Sequence, residues 1–194
     1  MSTKMLEKRI NAGKFKGKSI KLPSKDSTRS SKSIVLGSLF DTLQFDIVDA
    51  TFVELFAGSG SVGLEALSRG AKRVIFFEKD RDALRVLRSN IASLDPHSCE
   101  VIAGDSFINA PTLLAKLHSA YIYIDPPFSF RDGMSQIYEK MLLLIEKLPK
   151  QSVKQLIIEH MSSLEMPVSV GEFVQIKQKR FGATTLTYME IRES

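Results

Sequence analysis

The sequence is poor in cysteine and has no long apolar run. Its single cysteine, Cys99, excludes an intrachain disulfide. No apolar stretch approaches the roughly 20 residues that a membrane-spanning helix requires, and the N-terminus is charged where a signal peptide would be apolar. Internal repeats and low-complexity segments are absent as well. We therefore expect a cytoplasmic, unprocessed chain without membrane contact.

Residues suited to metal binding are also scarce. The three histidines, His97, His118 and His160, show no spacing typical of metal ligands, and we expect them on the surface or at strand ends. Cys99 begins an apolar run, where packing explains a cysteine better than a nucleophilic role does. The sequence therefore predicts no metal site.

Positive charge is concentrated at the start of the chain. Residues 1–32, the basic arm, contain ten Lys or Arg against two acids, a net charge of +8. The whole chain carries +5, so the other 162 residues carry −3. A basic segment on a slightly acidic body is typical of nucleic-acid binding, because phosphate contacts supply most of the non-specific affinity. A solvated basic tail is the alternative.

The basic arm also has a pattern of its own. Its segment "RINAGKFKGKSIKLP" alternates apolar and basic residues around two glycines, which predicts a β-hairpin with Lys14, Lys16 and Lys18 on one face. The following "SSKSIVLGSLFDTLQF" has apolar residues near helical period, after a serine that can cap a helix. We therefore divide the chain into an N-terminal hairpin and helix, residues 1–46, and a main domain, residues 47–194.

The main domain alternates short apolar runs with amphipathic stretches about five times. Two last strands, about 172–181 and 184–191, are separated only by "GA" and should pair as an antiparallel hairpin. This rhythm predicts an α/β fold with a doubly wound, mostly parallel, Rossmann-like sheet. The other predicted strands are "TFVELF", "RVIFFE", "CEVIAG", "YIYID" and "QLIIEH", and the helices lie near residues 61–70, 80–94, 107–118 and 132–147.

A glycine-rich segment, "ELFAGSGSVGLEAL", follows the first strand of the main domain. Gly58, Gly60 and Gly63 let the backbone approach a ligand closely, before a helix whose first N–H groups can bind it. A dinucleotide cofactor needs an acidic residue about 20 positions further on, and Glu78 stands 20 after Gly58. Glu54, inside the strand, would instead repel a pyrophosphate and attract the ammonium of S-adenosylmethionine. Both cofactor classes fit this pattern.

A second unusual segment, "YIYIDPPFSF", spans residues 121–130. Its β-branched and aromatic residues favour a strand that ends at Asp125, because Pro126 cannot continue a ladder. Pro126 and Pro127 stiffen the backbone and lack an N–H, so this corner holds hydrogen-bond acceptors in fixed directions. An acidic turn after a buried strand is the alternative.

These motifs together resemble a known family. "ELFAGSGSVG" resembles motif I of the class I S-adenosylmethionine-dependent methyltransferases, Glu78 stands where their ribose-binding acid lies, and "DPPF" resembles motif IV of members that methylate exocyclic amines. With "AGKFKGKSIKLP", "LFAGSGSVGLEALSRGA" and "KRFGATTLTYME", the chain resembles the RsmD-type methyltransferases, which modify a guanine N2 of small-subunit (16S) ribosomal RNA. The family's arginine-rich stretch is represented by "TRSSKSIVLGSLF", which keeps Arg29 but has Ser30 and Ile34 in place of the usual Pro and Arg.

The resemblance implies a monomer that acts on ribosomal RNA or on an intermediate of small-subunit assembly. Hydrogen bonds from the guanine amino group to fixed acceptors would aim its lone pair at the methyl group, and Phe128 would stack on the base. The implied site residues are catalytic (Asp125, Pro126, Pro127, Phe128), cofactor-binding (Glu54, Phe56, Ala57, Gly58, Gly60, Gly63, Glu78, Asp105) and RNA-binding (Lys14, Lys16, Lys18, Arg29).

Other functions stay open on these residues. An adenine-N6 methyltransferase would use Asp125 in the same way. Methyltransferases that act on glutamine amides of proteins also have an Asx-Pro-Pro corner, although the basic arm favours RNA over protein. An NAD-binding oxidoreductase is compatible with the glycine-rich loop and Glu78 alone. The role of Asp105 is also open, since this residue is either an adenine ligand or an ordinary helix N-cap.

Overall fold

The structure, a computed structural model, describes residues 6–23, 30–127 and 134–192. Five helices and ten strands are found in this part of the chain, with 3₁₀ turns at Pro96–Ser98 and Lys150–Ser152. The helices are α1 Ser30–Leu43, α2 Ser61–Ser68, α3 Arg81–Ala92, α4 Ser106–Leu114 and α5 Met134–Lys147. The strands are β1 Glu7–Arg9, β2 Ser19–Lys21, β3 Thr51–Leu55, β4 Arg73–Glu78, β5 Cys99–Ala103, β6 Ala120–Ile124, β7 Val153–Met161, β8 Ser169–Val170, β9 Phe173–Phe181 and β10 Thr184–Ile191.

Eight of the strands form one sheet in the order β5–β4–β3–β6–β7–β10–β9–β8. Neighbours among β5, β4, β3, β6 and β7 run parallel, whereas β10 is antiparallel to both β7 and β9. The predicted α/β fold, with its mostly parallel sheet and antiparallel C-terminal hairpin, is confirmed. The sequence does not predict β8, because a two-residue strand is too short to show alternation.

Three helices are shorter than predicted, and α3, expected near residues 80–94, spans Arg81–Ala92. α2 ends at Ser68 and is followed by Gly70, whose φ of 114° does not continue a helix. α4 ends at Leu114, and Ser119 then adopts a φ of 57° on the way into β6. Among the described residues, no helix combines the length and the apolar character needed to cross a bilayer.

The sheet separates two apolar cores. One core contains Phe52, Phe76 and Tyr123 together with Phe40 of α1, and the other contains Ile122 with residues of α4 and α5. All five residues of β6 are buried, because parallel central strands are covered on both faces. This burial explains why the central strands read as nearly continuous apolar runs in the sequence.

The basic arm packs on the main domain. β1 and β2 pair as the predicted hairpin, and Ile10 and Ile20 are buried in the same core as Phe52. The chain between these strands is attached to α2, since the N–H groups of Asn11 and Ala12 donate to the carboxylate of Glu65 at 2.8 and 3.1 Å. The division between residues 1–46 and 47–194 does not coincide with a boundary between cores, so it remains a proposal about function.

The lysines of the hairpin do not lie where the alternation places them. Lys14, Lys16 and Lys18 belong to the segment that joins β1 and β2, so the prediction of one shared strand face is wrong. A turn interrupts the alternation, since the Lys16 N–H donates to the Gly13 carbonyl at 3.1 Å. Gly13 has a φ of 79°, and a Cβ there would lie 1.8 Å from the Ser68 carbonyl oxygen. This close approach to α2 shapes the turn.

Candidate active site

The order of the strands reverses beside β3. From β3 the chain leads outward through β4 to β5 and then returns to β6 on the other side of β3. Open α/β sheets bind ligands beyond the carboxyl ends of strands at such a switch point. A cleft of about 690 Å³ opens there. It is lined by eight predicted site residues, namely Glu54, Phe56, Ala57, Gly58, Glu78, Asp125, Pro126 and Pro127.

Glu54 lies at the bottom of this cleft and is almost completely buried. Its Oε2 accepts a hydrogen bond from the Gly63 N–H at 2.8 Å. Burial is the main cause that raises the pKa of Glu54 to about 8; Asp125 also raises this pKa, whereas the N–H groups of Gly63 and Val62 and the charge of Lys8 lower it. The carboxyl group is therefore largely protonated at neutral pH until a cation enters the cleft.

Glu78, at the end of β4, is held by backbone donors on both oxygens. The Gly58 N–H donates to its Oε2 at 2.7 Å, and the N–H groups of Lys79 and Asp80 donate to its Oε1 at 2.8 Å. A carboxylate has further lone pairs that can accept hydrogen bonds from a ligand's hydroxyl groups. The loop after β3 and the loop after β4 thus orient one carboxylate into the cleft.

The three glycines of the loop have different surroundings. Gly58 lines the cleft with a φ of 56°, and a Cβ there would meet nothing within 4 Å. A Cβ at Gly60 would lie 2.4 Å from Leu87 Cδ1, and one at Gly63 would lie 2.4 Å from the Phe76 ring. Gly60 and Gly63 do not line the cleft, and they allow α2 to pack closely on β4 and α3.

Phe56 is the residue that turns the chain out of β3. Its φ of 63° is in the left-handed region, which is uncommon for a bulky residue and often marks a functional site. The centroid of its ring lies 4.9 Å from the centroid of the Phe107 ring. The Ala57 N–H next to it donates to the Phe77 carbonyl at 2.8 Å, which fixes the loop against β4.

Asp105 is the N-cap residue that precedes α4, and it does not line the cleft. One carboxylate oxygen accepts from the Phe107 N–H at 3.0 Å, and the other lies 3.0 Å from the ammonium of Lys79. The N-cap role that the sequence left open is therefore present. Ser106, the next residue, lines the cleft in its place.

Asp125, Pro126 and Pro127 follow the end of β6, the strand next to β3, and line the same cleft. Phe128, the predicted stacking residue, lies outside the described residues. The corner therefore presents a carboxylate and a proline backbone to the cleft that the glycine-rich loop also lines. These are hydrogen-bond acceptors, and no proline N–H is present to satisfy the adjacent carbonyls.

Further residues line the cleft that the sequence analysis did not select, and three of them come from strands β1, β6 and β7. They are Lys8 of β1, Tyr123 of β6 and Glu159 of β7. The Tyr123 hydroxyl donates a hydrogen bond to Oε2 of Glu159. Burial, and then the charges of Glu159 and Asp125, hold the pKa of Tyr123 well above its ordinary value, so the phenol stays protonated and donates. Side chains two positions apart on a strand share a face, so the sequence already indicated that Tyr123 lies on the same side as Asp125.

The predicted RNA-binding lysines lie away from this cleft. Lys14, Lys16 and Lys18 are all exposed, and the Lys14 ammonium lies 3.1 Å from Oδ2 of Asp95. Arg29 lies outside the described residues. Among the residues that the structure describes, no group of three or more His, Cys, Asp or Glu side chains could hold a metal ion.

Comparisons with known proteins place the chain in a family. Residues 8–190 match the model of the family described as Conserved hypothetical protein 95. The Bacillus subtilis protein YlbH is 30% identical over 179 residues, which cover 91% of this chain and 95% of YlbH. Ribosomal RNA small subunit methyltransferase D of Escherichia coli is 35% identical over 122 residues, 62% of this chain and 60% of that enzyme.

Solved structures agree with this placement. The Escherichia coli protein yhhF has a TM-score of 0.76 and 28% identity, over 96% of this chain and 99% of its own. A methyltransferase-fold protein in complex with SAH has a TM-score of 0.68 at 14% identity, over 98% of this chain and 57% of its own, and so shares the fold.

The fold, the cleft at its switch point and these relatives together define the class of Rossmann-like methyltransferases whose methyl donor is S-adenosylmethionine. Within that class, the chain belongs to the family Conserved hypothetical protein 95, and the predicted relationship to the RsmD-type methyltransferases is confirmed.

Proposed function

We propose that this protein transfers a methyl group from S-adenosylmethionine to the exocyclic N2 of a guanine in small-subunit (16S) ribosomal RNA. The observation that carries the proposal is the corner of Asp125, Pro126 and Pro127, which lines the same cleft as the glycine-rich loop. The name of the Escherichia coli relative, a small-subunit ribosomal RNA methyltransferase, supports the substrate class. The site residues below are part of the same proposal.

The cofactor half of the cleft, formed by Glu54, Glu78 and the glycine-rich loop, carries acidic groups that match the ammonium and hydroxyl groups of S-adenosylmethionine. Glu78, held by three backbone N–H groups, accepts from the ribose hydroxyls. Glu54 receives the ammonium of the methionine moiety, and the cation stabilises its ionised form. Phe56 and Ala57 form the apolar wall next to the loop, and Asp105 orients Lys79 and the start of α4 at the adenine end.

The substrate half of the cleft, formed by the corner of Asp125, Pro126 and Pro127, promotes methyl transfer by positioning the target base. A guanine amino group is a weak nucleophile, because its lone pair is delocalised into the ring. Hydrogen bonds from its two N–H groups to the Asp125 carboxylate and the Pro126 carbonyl localise that pair and aim it at the methyl carbon. The N2–C bond forms as the C–S bond breaks, which yields S-adenosylhomocysteine. One proton leaves the methylated nitrogen, and the Asp125 carboxylate accepts it.

RNA binding is assigned to the basic arm. Lys14, Lys16 and Lys18 are exposed in the turn between β1 and β2, where they can contact phosphates without entering the cleft. Arg29 of the following segment completes the proposed contact. Since phosphate contacts carry little sequence information, selection of the target base falls to the cleft.

The experiment that tests this function is a map of methylated bases. Ribosomal RNA from cells that lack the protein is compared with RNA from cells that express it, by reverse transcription and mass spectrometry of digested fragments. We expect one N2-methylguanine of 16S RNA to disappear. Loss of an N6-methyladenine, or no change in 16S RNA, would contradict the proposal.

The cofactor is tested separately by calorimetry. S-adenosylhomocysteine should bind and NAD should not, because the ammonium of the former can pair with ionised Glu54, whereas this carboxyl group offers no positive charge to a pyrophosphate. Binding of NAD alone would favour the oxidoreductase alternative. Methylation of a glutamine side chain in a protein, with unmodified RNA, would favour the protein-methyltransferase alternative.

A further inference from the structure

Glu159 stands beside the catalytic corner in the sheet. In the parallel pair of β6 and β7, Tyr123 is opposite Ile157 and Ile124 is opposite Ile158. One step further along the same register, Asp125 comes opposite Glu159. Neighbouring strands are about 4.8 Å apart, and side chains two positions apart on a strand share a face. Asp125 and Glu159 therefore project together from adjacent strands into the cleft that both line.

The position of the Glu159 side chain is fixed by Tyr123. The phenol donates to Oε2 of Glu159, and Tyr123 itself is almost completely buried. A buried donor with one acceptor restrains the carboxylate without using all of its lone pairs. Glu159 is partly exposed to the cleft, so it can accept a hydrogen bond from a bound ligand.

The wall formed by Asp125, Pro126 and Glu159 consists of acceptors. The pairing edge of guanine carries two adjacent donors, the N1–H and the N2 amino group, beside the O6 acceptor. Adenine carries a bare acceptor at N1. A carboxylate next to the amino-binding corner can therefore accept a hydrogen bond from the guanine N1–H. It would repel the lone pair on adenine N1, and neither atom would find a donor.

We propose that Glu159 accepts a hydrogen bond from the N1–H of the target guanine and thereby makes the cleft selective for guanine over bases with an unprotonated N1. This inference rests on the proposed guanine-N2 activity and adds the residue that reads the base. Tyr123 is a positioning residue in this arrangement, since it holds the carboxylate that contacts the substrate. Asp125 remains the group that binds the amino nitrogen.

The test compares bases that keep the 2-amino group. A 16S RNA segment is synthesised with guanine, 2,6-diaminopurine or 2-aminopurine at the mapped target and is ligated into the full RNA. Both analogues present the same reactive amino group but an N1 without a proton, and they differ from each other at position 6. The kcat/KM for methyl transfer is measured for the wild type, Glu159→Gln and Tyr123→Phe.

We expect the wild type to prefer guanine over both analogues by about 10-fold or more, since a site built for a hydrogen-bonding group discriminates strongly against its absence. Glu159→Gln should reduce this preference at least several-fold for both analogues, because the amide can donate to the bare N1. Tyr123→Phe should reduce it less. Binding of S-adenosylhomocysteine and thermal unfolding serve as controls for an intact fold.

The outcomes separate this inference from the proposed function. If the wild type methylates guanine and Glu159→Gln leaves both preferences unchanged, the base-reading role is wrong and the function stands. A change for 2,6-diaminopurine alone would also overturn the inference, because it would indicate a contact at position 6. If the wild type transfers no methyl group to guanine N2, the proposed function itself has failed.

Discussion

The two halves of the cleft are held in different ways. In the cofactor half, backbone N–H groups orient the carboxyl groups of Glu54 and Glu78. In the substrate half, Glu159 is held by the side chain of Tyr123, and Asp125 lies at the end of its own strand. Backbone donors are set by the fold, so we expect the carboxyl groups of the cofactor half to keep their positions when neighbouring side chains are replaced. The substrate half depends on a few side chains, which single substitutions can change without loss of the cofactor site.

The largest expected effect separates the halves at Asp125. Asp125→Ala removes an acceptor that is needed chiefly in the transition state, so methyl transfer should fall by about two orders of magnitude or more. Affinity for S-adenosylhomocysteine should change little, because Glu78 and the loop are untouched. Rates come from incorporation of labelled methyl groups into RNA, and affinities come from calorimetry. Turnover near the wild-type value would remove Asp125 from the mechanism.

Gly60 and Gly58 offer a matched pair within the cofactor half. Both have left-handed φ values, of 78° and 56°, but only at Gly60 would a Cβ approach another residue, Leu87, at 2.4 Å. Gly60→Ala should lower the free energy of unfolding by about 2 to 4 kcal/mol, through backbone strain and overpacking. Gly58→Ala should cost about 1 kcal/mol in stability. Urea unfolding of both variants measures the difference.

Gly58→Ala should have its main effect on the cofactor instead. Its N–H donates to Glu78 and its Cα faces the cleft, so we expect weaker binding of S-adenosylhomocysteine in a folded protein. Equal loss of stability in both variants would show that packing behind the loop is not the reason for Gly60.

The exposed lysines of the basic arm should affect RNA without affecting the cleft. Replacing Lys14, Lys16 and Lys18 with Gln should make the negative slope of log K against log salt shallower. The expected change is about two to three units, close to one unit for each lost phosphate contact. RNA affinity is measured over a range of salt concentrations, with cofactor affinity as the internal control. Substitution is preferable to deletion of residues 1–32, because Ile10 and Ile20 are part of the core.

A control for net charge uses three other exposed lysines. The control variant carries Gln at Lys72, Lys140 and Lys177 and loses the same charge. We expect its salt slope to stay close to that of the wild type. Two variants with equal slopes would mean that the basic arm contributes only overall charge.

A further expected effect concerns protonation of Glu54. Its pKa rises from 4.5 to about 8 on folding, so between these values the folded state holds more protons than the unfolded state. The free energy of unfolding should therefore fall as pH rises through this window, by at most about 1.4 kcal/mol per pH unit. Glu54→Gln should flatten this dependence. Urea unfolding from pH 5 to pH 8 compares the two proteins, and parallel curves would contradict a buried protonated Glu54.

Much of the fold follows from local patterns. Unbroken apolar runs such as "YIYI" predict buried parallel strands, and the spacing of Gly58, Gly60 and Gly63 after a strand predicts the loop. The loop's three glycines nevertheless look alike in the sequence. Only packing distinguishes Gly58, which lines the cleft, from Gly60 and Gly63, which allow helix and strand to approach.

The N-terminal hairpin shows where local patterns mislead. Alternation in "RINAGKFKGKSIKLP" predicts strands through the lysines, but the chain turns there because Asn11, Ala12 and Gly13 meet the end of α2. Contacts with Glu65 and Ser68, more than 50 residues away, decided that geometry. No window of the sequence contains such a partner.

By itself, the sequence determined the class of fold, the order of motifs and the family, because apolar period, glycine spacing and the Asp-Pro-Pro corner act within a few residues along the chain. Only the tertiary structure decided that Lys8 and Glu159 share the cleft with Tyr123 and Asp125. These residues come from three strands, and the register between β6 and β7 aligns Asp125 with Glu159. Strand order and register depend on how the whole sheet packs, so a pairing between residues 34 positions apart is not written in either segment alone.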